Sequence, residues 1–155
     1  MSNLNICSFI CKKADDQKQT IENIINEIEY SKHEKANFHI VTAISGIGIE
    51  KDFYLDYFMS SVEDENDEEN RGKYLYLFSL HLHNKKSEFQ RLTQYKNSMF
   101  AMSYNEVSTE FPHRGFYELE IYKAENEFTG EAKERYRNYH EKKINPVSVY
   151  NICVK

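Results

Sequence analysis

No stretch of this sequence approaches the ~20 consecutive apolar residues that a membrane-spanning helix needs, so no membrane role is expected. The apolar residues from Ile6 to Ile10 follow no basic segment and form too short a run for a secretory leader. Cysteine is scarce. Cys7, Cys11 and Cys153 are an odd set of three near the two ends, which argues against a disulfide framework and predicts the reducing cytoplasm. On a strand, the C-x3-C spacing would hold the Cys7 and Cys11 thiols on one face ~13 Å apart, so the pair reads as small buried hydrophobes rather than metal ligands. Glycine is also sparse, and Gly46-x-Gly48 lacks both a third glycine and a following Lys-Ser/Thr, which excludes a phosphate loop. No serine sits in G-x-S-x-G and no cysteine has a nucleophile's context, so the expectation is a protein that is not an enzyme and carries no cofactor. A formal net charge of −5 withholds the basic face that phosphate contacts require, so direct nucleic-acid binding is not expected.

What is present is enough for one domain spanning 1–155, a length that buries roughly 70% of the surface its unfolded chain exposes. Twelve tyrosines and ten phenylalanines, each with ~150–250 Å² to bury, predict an aromatic-rich core. Ile6 to Cys11 reads as an opening strand closed by a polar turn at 14–17. Segment 20–30 is open to two readings. Ile21, Ile24, Ile25 and Ile28 fall on one helical face with Asp16 and Gln19 as a capping pair, yet the same β-branched residues suit a strand.

Segment 38–49 reads as a buried strand that enters a turn or bulge at Gly46 and Gly48, and Phe53 to Met59 alternates as another strand. Segment 73–83 is apolar on both alternating sets, Tyr74, Tyr76, Phe78 and Leu80 against Leu75, Leu77 and Leu82, which predicts a central strand. A strand over 98–104 comes next. The turn Pro112-His113-Arg114-Gly115 then opens a half-exposed strand with Tyr117, Leu119 and Ile121 inward and Glu118, Glu120 and Tyr122 outward. Segment 129–143 reads as a surface helix, and 146–154 as a closing strand.

Two constellations carry chemical potential. Glu63, Asp64, Glu65, Asp67, Glu68 and Glu69 place six acids in seven residues, a solvated loop between strands that can also attract a basic partner. A calcium hand counted from Asp64 needs glycine at its sixth position, where Glu69 stands. His81 and His83 project to one face of a strand and, with Glu88, match half of a cupin metal site, a sensible ligand set for a transition metal. The remaining cupin glycines and the later histidine motif are missing, so this metal or small-ligand reading stands as the alternative.

The order of features resembles small bacterial and phage proteins of unknown function with an immunoglobulin-like β-sandwich. The residues carrying the likeness are Thr20-Ile21-Glu22-Asn23-Ile24-Ile25, Phe38-His39-Ile40-Val41 leading to Ile44-Ser45-Gly46, and Phe111-Pro112-His113-Arg114-Gly115-Phe116-Tyr117-Glu118-Leu119. The resemblance implies a mainly β fold, an immunoglobulin-like antiparallel β-sandwich with one or two short helices, in which 20–30 is a strand and a tyrosine anchors the turn before a late strand. It brings no activity. The leading expectation is a non-catalytic protein-binding module. Its acidic run would meet a partner with a basic surface, as in an acidic inhibitor or accessory protein of a bacterium, phage or mobile element.

Overall fold

The computed structural model describes residues 5–47, 53–62, 73–82, 99–124 and 130–155. In chain order the elements are β1 (Asn5–Asp15), β2 (Thr20–Ile25), β3 (Glu27–Ile28), β4 (Ala36–Ile47), β5 (Phe53–Ser61), β6 (Tyr74–Leu82), β7 (Met99–Thr109), β8 (Gly115–Ala124), α1 (Ala132–Glu141) and β9 (Ser148–Val154). The strands form a four-stranded sheet in the order β2-β1-β4-β7 and a five-stranded sheet in the order β3-β9-β8-β5-β6. The two sheets pack together as a mainly β sandwich. All pairings are antiparallel except the short parallel one between β3 and β9. Among the described residues no helix is long and apolar enough to cross a membrane.

Segment 20–30 holds two strands, β2 and β3, and no helix, so the helical periodicity of its isoleucines is coincidental. Asp15 Oδ1 accepts hydrogen bonds from the backbone N–H groups of Gln17 (2.9 Å) and Lys18 (3.1 Å), which bends the chain back so that β2 pairs along β1. Ile25 packs against the core, while its neighbour Ile24 lies exposed on the opposite face. At Asn26 the chain leaves the four-stranded sheet, and Ile28 is buried in the other one. The four isoleucines therefore serve two sheets rather than one helix face, and Asp16 and Gln19 cap nothing.

The core between the sheets joins Ile10, Phe38, Ile40 and Ile44 from one side to Leu55, Tyr57, Met59, Leu119, Ile121 and Ile152 from the other. Each fully buried side chain of this size stabilises the fold by about 1.5–3 kcal/mol relative to exposure. The register of β4 on β7 shifts between Ser45 and Ile47, so the irregularity expected at Gly46 is present. At the start of β8, the Tyr117 hydroxyl donates to the carbonyl of His113 (2.8 Å), which ties the 112–115 turn to the strand it opens.

Three strand readings are corrected. Strand β6 lies at the edge of its sheet among the described residues rather than at its centre. Its alternation is also broken. Tyr57 pairs with Phe78 but Phe58 pairs with Tyr76, so Leu77 is an extra residue, and Leu75, Leu77, Phe78 and Leu80 all reach the core. Strand β8 is central and buried on both faces, because α1 covers the side holding Glu120 and Tyr122.

A fully buried polar contact joins the two sheets: the hydroxyls of Thr42 on β4 and Tyr57 on β5 share a hydrogen bond of 2.6 Å, and burial pushes the Tyr57 hydroxyl pKa well up. Tyr57→Phe strands the Thr42 hydroxyl and is expected to cost about 1–3 kcal/mol in urea unfolding. Adding Thr42→Val, which removes both polar partners, is expected to recover part of that loss. A double variant no more stable than Tyr57→Phe alone would contradict this account.

Candidate functional site

Helix α1 opens after Gly130, whose φ of +76° lets the chain turn onto the outer face of the five-stranded sheet. Ala132, Arg135, Tyr136 and Tyr139 recur at helical spacing and form the stripe turned to that sheet. At the far end Lys143, with φ +53°, donates its N–H to the His140 carbonyl, and Ile144 donates to that of Tyr139, closing the last turn as a Schellman motif. This is a docked helix, with Tyr136 and Tyr139 buried, and it is shorter than the 129–143 expected.

Beneath α1 lies Asp56, whose side chain is 0% exposed. Strand β5 alternates Leu55, Tyr57 and Met59 into the core, so Asp56 and Phe58 face the helix. Arg135 lays its guanidinium fork on the carboxylate, Nε to Oδ2 at 2.9 Å and Nη2 to Oδ1 at 3.0 Å. The Tyr139 hydroxyl donates to Oδ2 at 2.7 Å, and the Ser79 hydroxyl donates to Oδ1. Two carboxylate oxygens offer about four acceptor sites, and these four donors fill them. Asp56 is thus a structural anchor with no acceptor position left for a substrate. Its hydrogen bond and charge push the Arg135 pKa further up. The Tyr139 hydroxyl is raised by burial first and by its bond to Asp56 second.

A second buried carboxylate, Glu120, accepts from Tyr122 (2.8 Å) and Tyr136 (3.2 Å). Burial, then the bond to Glu120, raises the Tyr122 hydroxyl. Around both acids the rings of Phe58, Tyr74, Tyr122, Tyr136 and Tyr139 stack or meet edge to face, with Tyr74 and Tyr136 at 3.9 Å and Tyr122 and Tyr139 at 4.7 Å between centroids. Sequence reasoning missed this cluster. Its signals were an aspartate inside an apolar strand and the Arg135-x3-Tyr139 spacing on one helix face.

Of the residues singled out from the sequence, His81 lies on β6 with its ring stacked on Tyr54 at 4.3 Å. His83, Glu88 and the acidic residues Glu63, Asp64, Glu65, Asp67, Glu68 and Glu69 fall outside the described residues. Among the described residues no three His, Cys, Asp or Glu side chains gather as metal ligands. Cys11 is buried, which raises its thiol pKa, but Cys7 is exposed, so only one of the pair is a core hydrophobe.

Helix α1 leaves the other end of the outer face uncovered. Phe116 is 65% exposed and Val62 47%, and they are neighbours across β8 and the end of β5, where Val62 N–H donates to the Phe116 carbonyl (2.8 Å). Val62 and Lys73 are the described residues that flank 63–72, and the Lys73 carbonyl accepts from Ser61 N–H (3.0 Å). In the sequence the acidic run thus begins at the residue after the exposed Val62. The sequence matches no protein-family model and no curated protein.

Two outcomes follow from the buried charges. Asp56→Ala leaves Arg135 without its counter-charge in a site where its side chain is 13% exposed, and is expected to cost about 3–5 kcal/mol in chemical denaturation. A loss under about 1 kcal/mol would show that Asp56 does not anchor α1. Glu118 is raised in the folded state by burial and by neighbouring Glu120. A carboxyl raised on folding destabilises the fold above its folded pKa and not below the unfolded value of 4.5. Glu118→Gln is thus expected to raise the melting temperature at pH 7 and to leave it nearly unchanged at pH 4; equal effects at both would refute the assignment.

Proposed function

We propose that this protein is a non-catalytic binding module on an immunoglobulin-like sandwich, which holds a partner's basic surface against its acidic run and the adjoining Val62–Phe116 patch. The strand order supports the fold part of this reading. In the immunoglobulin arrangement strands A, B and E share one sheet and G, F, C and C′ the other. Here β1, β4 and β7 lie in the first order, and β9, β8, β5 and β6 in the second. The bond from Tyr117 at the start of β8 back to His113 has the form of a tyrosine corner. Strands β2 and β3 and helix α1 are additions to that plan.

The observation that carries the functional part is the placement of an exposed phenylalanine and valine at the root of the acidic segment. Interfaces combine an apolar centre with a charged rim, and a large aromatic left in water at the centre of such a patch is a natural anchor. The six acids supply long-range attraction to a basic partner, which an inhibitor or accessory protein of this kind would need. The saturation of Asp56 by its own four donors favours a structural over a catalytic use of the buried acids.

A photo-crosslinking residue in place of Phe116 identifies the partner in source cells, and binding kinetics of the pair then test the proposal. Converting the six acids to their amides is expected to slow association about ten-fold or more and to flatten its salt dependence, since a Debye length of ~8 Å screens such steering. Phe116→Ser is expected to act on dissociation instead. If both variants fold and bind the captured partner with unchanged rates, the proposed surface is not the interface.

A further inference from the structure

A separate feature lies at the opposite edge of the five-stranded sheet. Strand β3 bonds to β9 through every second residue: Cys153 N–H to the Asn26 carbonyl (2.8 Å), Lys155 N–H to the Ile28 carbonyl (3.0 Å) and Tyr30 N–H to the Lys155 carbonyl (2.6 Å). By strand alternation, the N–H and C=O groups of Glu27 and Glu29 point away from β9, and among the described residues no backbone group bonds to them. Both residues line a cleft of about 800 Å³ together with Ile25, Ile28 and Ala36, and its other charges, Glu34 against Lys12, Lys35 and Lys155, carry both signs. A row of unpaired main-chain donors and acceptors beside such a cleft is a template for one more strand.

We infer that this edge is a strand-addition site for an extended peptide with basic residues at every second position and apolar residues between them. The pattern is set by the two faces of β3. Ile28 points into the sandwich, so peptide residues in register with it meet the apolar side chains of Ile25 and Ala36. Glu27 and Glu29 are exposed on the other face, where opposite charges directly across a strand pair contribute favourably. Glu27 already holds a cation there, since Lys155 Nζ lies 2.6 Å from its Oε1, whereas Glu29 has no ion-pair partner among the described residues. This inference stands on main-chain geometry and does not depend on the acidic run.

The test is titration of the isotope-labelled full chain with a heptapeptide of alternating lysine and valine, followed by amide chemical shifts. Saturable shifts are expected at Ile25, Glu27, Ile28, Glu29 and Ala36, and an alternating glutamate–valine peptide is expected not to produce them. Glu29→Pro removes a donor that the fold itself does not use, and Pro is tolerated on edge strands. It is expected to weaken binding about ten-fold, the equivalent of one lost hydrogen bond. Glu29→Lys, which leaves the backbone intact, is expected to weaken it several-fold. Amide conversion of the acidic run is expected to leave affinity within about two-fold. Binding indifferent to both Glu29 variants, or no saturable binding, overturns strand addition. Binding that survives Glu29→Pro but is lost with the acidic run overturns it too, while leaving the proposed function in place.

Discussion

A carboxylate with no exposure to water in the middle of a sheet is tolerable only when every lone pair is answered, and Asp56 shows how this fold meets that condition. Three of its four donors come from α1, two from Arg135 and one from Tyr139, and the fourth from β6, as Ser79. The dependence runs both ways. A ten-residue helix is marginal by itself, and α1 offers little apolar surface beyond Ala132 and its two buried tyrosines. Its docking therefore rests on the charge it neutralises and the rings it stacks. The sheet, in turn, can carry Asp56 and Glu120 only because the helix covers them.

That docking turns a two-layer sandwich into three layers over part of its area and decides which surfaces remain for partners. Rings around Phe58 close one end of the outer face. The other end exposes Val62 and Phe116, and at the far edge two-residue β3 leaves the main chain of Glu27 and Glu29 unpaired among the described residues. Uncovered apolar and main-chain groups are the costly parts of a surface, and a partner that covers them gains what the satisfied interior cannot offer.

Much of the fold was legible because its strands announce themselves locally. The β-branched and aromatic runs over 38–47, 53–61 and 115–124 are strands, the irregularity falls at Gly46, and Tyr117 ties down the turn before β8. The failures share one cause. Periodicity reports that a residue is apolar, not what it meets. Ile21, Ile24, Ile25 and Ile28 have helical spacing yet divide between two sheets, and the extra Leu77 in β6 shifts the inward set by one residue. Of the candidate site, the acidic run was visible as composition, whereas the exposed Phe116 looked like any strand aromatic.

By itself the sequence determined the class of the molecule: a single-domain length, a mainly β fold, one late helix and a cluster of negative charge between two strands. These are properties of local runs, and local sterics and hydrophobic alternation are sufficient to produce them. Only the tertiary structure decided that β6 lies at an edge, that β8 is buried on both faces, and that Asp56 meets Arg135 and Tyr139 seventy-nine and eighty-three positions along the chain. Such pairings are set by which layers close on one another, a balance of burial against desolvation that no window of neighbouring residues contains.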